Sequence, residues 1–384
     1  MEQVFNPRRL DKALTYRCKS VSELAEKTNI ARQYISGYRN GKLVPKVEQV
    51  KIIADVLEMP RRFFYEKDYT ESISPVYFRS QLTTRKAYRE YQKIKIEFTE
   101  QLYKFLSDYI EFPALNLPDF GVVTPKEAAK RLREHWGLGN EPIENIITVV
   151  ENNGIIVSCC GTNTDAIDAF SKKVILEDGT KTFFIGYSEN KKAAARIHFD
   201  IAHELGHICL HGWYDSDELD KETFISYEQQ ANDFAAEFLL PEETFSQDSR
   251  RTATTILAYK KLKRKWVTSI AAMIRRSCSL GIVTYDVYQK MMITMSKRGK
   301  RKEEPLDDEL LTAEPSLLRT AVMLLLNNNV FEPAEFVSEC NKELHLTLFP
   351  KDVEELLGLP NGTLVKTKIL DFTKMSIKEF RVTH

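Results

Sequence analysis

The sequence has no run of 18 or more uncharged apolar residues, the length that a membrane-spanning helix requires. Its first ten residues carry Arg8 and Arg9 with no apolar stretch behind them, so they do not read as a secretory leader. Cysteine is scarce. The six, at 18, 159, 160, 209, 278 and 340, are too scattered for a disulfide framework or for paired Cys-x-x-Cys zinc sites. A reducing compartment and a cytoplasmic location without membrane attachment are the expectation. Cys159 and Cys160 are neighbours, and neighbours in a strand point to opposite faces, so they read as packing rather than as a redox pair. No fixed-period repeat is present, and no low-complexity tract beyond the short basic stretch 297–302, which excludes a solenoid.

Net charge is also lacking, with 55 basic residues against 55 acidic. The balance conceals three uneven windows. Residues 1–69 hold 14 basic and 9 acidic residues, net +5; residues 200–248 hold 1 and 13, net −12; residues 250–302 hold 15 and 1, net +14. Partners respond to such local fields rather than to the sum. What the chain does have is apolar content, 43%, over 384 residues, enough for the cores of two or three domains.

Residues 1–65 read as a run of short helices, with a Ser20/Glu23 capping box ahead of Leu24 and Ala25, and Asn40-Gly41 closing a helix. Arg85 to Glu111 has helical spacing at Ile94, Phe98, Leu102 and Phe105 and ends before Pro113, the pattern of a long spacer helix. Pro113, Pro118 and Gly121 mark a boundary, and Thr124-Pro125-Lys126-Glu127 opens a capped helix. Further helices are expected near 125–136 and 143–153. Strands are expected at Ile155–Cys159, Lys173–Leu176 and Thr182–Tyr187, and the helical period returns at 196–212 and 227–240. Beyond 250 the pattern is helical, with one further strand near Thr363–Leu370. The fold class is mainly α with a small β-sheet (α+β), divided into segments 1–68, 69–121, 122–248, 249–305 and 306–384.

His203-Glu204-Leu205-Gly206-His207 is an HExxH sequence. On a helix it stacks two imidazoles one turn apart on one face, with the glutamate beside them. Chance would produce it on the order of once in a hundred such chains. A hydrolytic zinc site takes three protein ligands and leaves one position for water, so a third ligand must come from elsewhere. His211 lies eight residues after His203, about 12 Å along a helix at 1.5 Å per residue, too far to share the ion, and reads as a supporting or capping residue. Glu228 is the better candidate, expected in the first turn of a helix that packs Ala231, Phe234 and Ala235 against the first helix, with Asn232 orienting a ligand; Glu222 and Glu237 are its rivals. His198 and Tyr227 lie near the motif in sequence, yet each reads as packing or surface rather than as the group that would stabilise an oxyanion.

Phe199-Asp200-Ile201-Ala202-His203-Glu204-Leu205-Gly206-His207, then Glu228-x-x-Ala231-Asn232-x-Phe234-Ala235-Ala236 and Leu239-Leu240-Pro241, resembles the ImmA/IrrE-type metallo-endopeptidase domain over roughly 122–248. The resemblance implies a zincin-like α+β domain in which His203, His207 and Glu228 hold Zn2+ and Glu204 is the general base. It also implies that the strand Thr182–Tyr187 lies along an extended substrate.

Val21 to Arg39 has a helix-turn-helix rhythm: a capped helix with Leu24 and Ala25 inward, a turn at Thr28-Asn29, and a second helix with Ile30, Ile35 and Tyr38 inward. Arg32, Gln33, Tyr34 and Ser36 take the exposed positions that would enter a major groove, and Asn40, Lys42 and Lys46 could meet phosphate. With Ile35-Ser36 and Asn40-Gly41-Lys42 the segment is similar to Xre/Cro-type helix-turn-helix domains. It departs from them where Val21, Ala31 and Arg39 stand in place of the frequent Gln, Ser and Glu. A packing or dimerisation module that no longer binds DNA is the competing interpretation. Val267 to Tyr285, flanked by Lys260–Lys265 and containing Arg275-Arg276, is a weaker second helix-turn-helix candidate whose basic face contacts either phosphates or the acidic window.

Together these resemblances imply a cytoplasmic prokaryotic or phage regulator. It would bind double-stranded operator DNA, with a homodimer as the candidate assembly, and use Glu204-assisted attack of zinc-bound water on a peptide bond in a repressor or antitoxin-like protein. The alternatives are a noncatalytic transcription factor whose zinc domain senses a ligand or partner, and an antitoxin. Residues 306–384 carry no motif that converts into chemistry.

Overall fold

The computed structural model of the protein describes residues 4–67, 76–78, 86–159, 169–176, 178–188, 193–211, 219–250, 255–297 and 303–365. The expected stretch at 366–370, most of the basic loop 297–302, and Cys160 fall outside these residues. Thr363 to Val365 is turn and bend rather than strand.

The chain begins with α1 (Pro7–Tyr16), α2 (Val21–Thr28), α3 (Arg32–Arg39) and α4 (Val47–Val56), followed by a 3-10 turn at Arg61–Tyr65. Each boundary has a local cause. Asn6 accepts from Arg8 N ahead of Pro7, Ser20 and Glu23 form the reciprocal capping box of α2, and Asn29 ends α2 in the left-handed region at φ 54°. Ile35 and Tyr38 are buried, and Arg32, Gln33 and Tyr34 are exposed on the other side of α3. Phe63 and Phe64 close the bottom of this bundle at 0% exposure.

The helix α5 (Lys86–Ser107) is not a spacer. Phe98 meets Tyr16 of α1 edge to face at 5.2 Å, Tyr103 meets Phe184 at 5.4 Å, and Phe105 meets Phe336 near the C-terminus at 5.7 Å. Its remaining faces bury polar groups, including Lys95, Thr99, Glu100 and Gln101. Lys95 pairs with Glu355 and Glu100 with Lys172, so the apolar spacing reveals only one of its packed faces.

After α6 (Pro125–His135) and α7 (Ile146–Asn152) comes a four-stranded sheet in the order β1 (Val76–Phe78), β3 (Ala169–Ile175), β4 (Lys181–Tyr187), β2 (Ile155–Cys159). β2 runs parallel to β4, β3 antiparallel to β4, and β1 antiparallel to β3. Two expectations need correction. Segment 69–121, in which no strand is expected, contributes β1, too short to show an alternating pattern. The strand expected to lie along a substrate, Thr182–Tyr187, is the inner strand β4, with both edges already paired and no backbone groups free for an extended peptide.

The sheet is the wall between two cores. Ile156, Phe170, Val174 and Phe184 face the helix-turn-helix bundle, α5 and the C-terminal helices α14 (Leu317–Asn327), α15 (Pro333–Leu344) and α16 (Pro350–Leu357). Ile155, Val157, Phe183 and Ile185 face α6, α7, α8 (Ala194–Leu210), α9 (Lys221–Leu239), α10 (Glu242–Arg250), α11 (Ile256–Trp266), α12 (Ile270–Ser279) and α13 (Tyr285–Lys297). The alternation is the two-residue period of a strand buried on both faces. No described helix is long and apolar enough to cross a membrane.

The first bundle also docks on the C-terminal helices through charge. Arg9, 2% exposed, lies over the Phe63 ring and donates to the Lys67 and His345 carbonyls. Arg17 pairs with Asp352 at 2.7 Å, and Glu66 accepts from Thr347 at 3.0 Å and lies 3.1 Å from His345 Nδ1.

The start of α3 lacks a side-chain cap. Ala31 holds the N-cap position of α3 in extended geometry with no side-chain hydrogen bond to the first turn. Ala31→Ser should therefore add about 1 kcal/mol to the stability of this bundle, read as a higher urea midpoint for its unfolding at unchanged slope.

Candidate metal centre

α8 carries its apolar residues at Ile197, Ile201, Ala202, Leu205 and Ile208, and this stripe seats the helix under β3 and β4. The same helix buries His203 and Glu204 at 0% and His207 at 4% exposure, a placement such polar groups tolerate only with partners. α9 begins at Lys221, where Asp220 caps it by accepting from Glu222 N and Thr223 N. Glu228 consequently sits in the third turn rather than the first. The half-buried Phe224 and exposed Ile225 of the extra turns give no clear apolar period.

The two helices meet at Gly206 and Ala231. A Cβ on Gly206 would lie 3.1 Å from Ala231 Cα and 3.2 Å from its carbonyl oxygen. Side chains one turn either side of this contact face each other across a narrow gap. His203 Nε2 and His207 Nε2 are 3.0 Å apart, and the Glu228 carboxylate lies 3.5 Å from the first and 3.3 Å from the second. Among the described residues this trio is the cluster of metal-binding type, its donor atoms all within 4.8 Å of one another.

The donor set fits zinc. Four ligands at about 2.05 Å in a tetrahedron stand about 3.3 Å from each other, close to the spacings seen here. The outer nitrogens support it. His203 Nδ1 lies 3.1 Å from Asn232 Oδ1, and His207 Nδ1 lies 3.0 Å from His211 Nδ1, whose Nε2 is 3.3 Å from Gln230 Oε1. With Asn232 and Gln230 oxygens as acceptors, both histidines carry their proton on Nδ1 and turn the Nε2 lone pair inward. Burial, then the neighbouring His207, push His211 down to about 4, so it remains a neutral link in this chain at pH 7. Burial raises the Glu228 carboxyl, but His203 and His207, whenever they carry a proton on Nε2, outweigh it and hold the group well below the usual range. The carboxylate is ready for a cation.

Glu204 is placed by the sheet. Ser171 Oγ, buried in β3, donates to Glu204 Oε2 at 2.8 Å. The sequence reading missed Ser171 because the strand was expected to begin two residues later, at Lys173. The only available signal was its position in an apolar-flanked run.

The structure brings together His203, Glu204, His207, Glu228, Asn232 and His211. It does not bring Glu222 or Glu237 to the trio. Glu222 is exposed in the first turn of α9, while Glu237, 1% exposed, pairs with Arg276 of α12. Tyr227 stacks on His211 at 4.1 Å. His198 Nε2 turns to Thr312 Oγ1 at 3.2 Å in the loop before α14, and burial pushes this imidazole down to about 4.

On α3, Arg32, Gln33 and Tyr34 are exposed and Ser36 is half-buried; Asn40, Lys42 and Lys46 are exposed beyond its end. Arg39 pairs with Asp11 at 2.6 Å. In the second basic segment part of the charge is paired with acidic residues outside it. Lys263, 0% exposed, pairs with Glu304 at 2.9 Å and Asp307 at 2.5 Å. Glu304 also accepts from Ile270 N and Ala271 N at the start of α12. Lys265 and Arg276 pair with Asp248 and Glu237 of the acidic window.

Residues 19–64 match the family described as helix-turn-helix, and residues 162–277 match the family described as IrrE N-terminal-like domain, a metallopeptidase family. The chain thus carries a helix-turn-helix domain of DNA-binding type followed by an IrrE-like domain, in that order. Among curated proteins, none matches the chain.

The Gly206 contact supplies a test of the centre. Alanine is the better helix former, but its Cβ would press on the Ala231 backbone, which has little room to yield. Gly206→Ala should weaken zinc binding about tenfold while leaving far-ultraviolet circular dichroism unchanged, as measured by competition with a chromophoric chelator.

Proposed function

We propose that the protein is a DNA-binding regulator whose IrrE-like domain is a zinc-dependent endopeptidase, hydrolysing a peptide bond in a protein substrate such as a repressor or an antitoxin-like protein. The observation that carries this reading is the pairing of a three-ligand trio, His203, His207 and Glu228, with a buried carboxylate, Glu204, that is oriented yet not part of the trio. A purely structural zinc site is closed by four protein ligands and has no use for an adjacent base.

Bound zinc supplies Lewis acidity, polarising the scissile carbonyl and drawing the pKa of water toward 7. The protein's own groups do the remaining work. His203 and His207 present Nε2 because Asn232 and His211 engage their Nδ1 atoms, and Glu228 adds the negative charge that favours a divalent ion. Ser171 fixes Glu204 through Oε2, which sets the direction from which the carboxylate takes a proton from the attacking water. Glu204 then returns that proton to the departing amine nitrogen. One water is consumed, and one amide becomes a carboxylic acid and an amine.

Glu204→Gln keeps the shape and removes the base. Zinc content should be retained, while cleavage should fall by at least a hundredfold. Mass spectrometry of new protein termini in cells carrying either form reads this directly. Termini present only with the unsubstituted protein nominate the substrate. Identical termini, with gene expression still altered when the protein is deleted, would make the domain a sensor or scaffold.

For DNA, Arg32, Gln33, Tyr34 and Ser36 would enter the major groove while Asn40 and Lys42 meet phosphate. Arg32→Ala should weaken specific operator binding by about 1–3 kcal/mol in a gel-shift titration, with zinc content unchanged. Equal affinity for the operator would remove α3 from this role.

A further inference from the structure

The outer edge of β3 is occupied by the chain itself. The inner edge of β3 pairs with β4 along its whole length, from Ala169 opposite Tyr187 to Ile175 opposite Lys181. Its outer edge pairs with β1 over three residues: Val76 opposite Lys172, Tyr77 opposite Ser171, and Phe78 opposite Phe170. The middle residue of β1 therefore stands opposite the residue whose hydroxyl holds Glu204.

That position is the one an extended peptide would need. Hydrolysis requires the scissile carbonyl within about 3.5 Å of the attacking water, hence a backbone running past Glu204. A strand added to β3 lies about 4.8 Å from it, beside Ser171. The unpaired edges of the described sheet are those of β1 and β2, and a strand added there would lie two and three strand spacings from β3, about 10 and 14 Å away. The inner strand β4 has no free edge. Within the described sheet, only the outer edge of β3 brings an added strand to the base, and β1 is on it.

We propose that β1 is a self-strand that occupies the substrate-binding edge of the metal centre, so that the protein is held inactive until Val76–Phe78 leaves β3 and an extended peptide replaces it. The proposal rests on the endopeptidase reading above. Its energetics favour exchange. β1 is at the short limit for a strand, and a longer peptide with the same antiparallel register would form more backbone hydrogen bonds on the same edge. The self-strand also lies ten residues beyond Glu66, where the helix-turn-helix bundle is anchored to the C-terminal helices, and eight residues before α5. The strand is thus carried on the connection between the DNA-binding bundle and the rest of the molecule.

The test uses the full-length, zinc-loaded protein and two inhibitor probes: acetohydroxamate, which engages only the metal, and a four-residue peptidyl hydroxamate, which needs the strand edge as well. In a strand, adjacent N–H groups face opposite edges, so Val76→Pro combined with Tyr77→Pro removes a donor toward β3 whichever residue supplies it. The peptidyl hydroxamate should bind the double-proline variant at least tenfold more tightly than the unsubstituted protein, with acetohydroxamate affinity unchanged. A triple glycine variant at Val76, Tyr77 and Phe78, which weakens the strand without a ring clash, should shift in the same direction and keeps the test open if the prolines prevent folding. Hydrogen exchange at residues 169–175 should be faster in either variant. Equal peptidyl hydroxamate affinity with acetohydroxamate still binding, weaker affinity in the variants, or unchanged exchange would overturn the self-strand. Failure of acetohydroxamate to bind every zinc-loaded form would overturn the endopeptidase reading itself, and the self-strand with it.

Discussion

The close approach of α8 and α9 at Gly206 and Ala231 is the constraint on which the metal centre depends. Two histidines one turn apart are easily placed, since the helix itself stacks them. The third ligand comes from another helix, and its carboxylate reaches the imidazoles only if the two backbones nearly touch. Gly206 on one side and Ala231 on the other permit this, because larger side chains would hold the axes apart. The outer contacts follow from the same approach. Asn232 and Gln230 meet the His203 and His211 rings because they flank Ala231 on α9.

The sheet supplies the second constraint. Its strands are buried on both sides, so each residue is committed to one core or the other, and the sides do different work. On the face toward α8, Ser171 orients Glu204; on the opposite face its neighbour Lys172 pairs with Glu100 of α5 at 2.6 Å. Burial raises the Glu100 carboxyl, but Lys172 and Lys104 together bring it below its ordinary range. A single strand thus ties Glu204, beside the candidate metal centre, to the helix against which the helix-turn-helix bundle and the C-terminal helices pack. Among the described residues, the two cores meet at this sheet without a gap between them. Any displacement of α5 relative to β3 must be accommodated by a buried ion pair, whose disruption is costly when one partner is left behind.

The charge windows have a structural outcome too. The acidic stretch 200–248 and the basic stretch 250–302 neutralise each other in part, through Asp248 with Lys265 and Glu237 with Arg276. Lys263 is buried outright between Glu304 and Asp307. A basic run is therefore an unreliable guide to nucleic-acid contact when an acidic run precedes it. The first bundle differs, since Arg32, Lys42 and Lys46 remain exposed around α3.

Local chemistry determined much of this protein from sequence alone. Capping residues and prolines set the starts of α2 and α6, the apolar period located α8, and the HExxH spacing marked one face of that helix as a place for a metal. Glu228 was legible because it precedes an alanine-rich face, and Asn232 because it lies one turn further on. Those signals act over three or four residues, within reach of periodicity and spacing. Tertiary structure decided the rest. Which edge of the sheet borders the base, that Ser171 holds Glu204, that β4 is interior, that α5 is a core helix, and that β1 exists are all pairings between residues tens of positions apart. A strand of three residues has no period to detect, and a polar residue buried against a distant partner looks like any surface residue until the partner is in place.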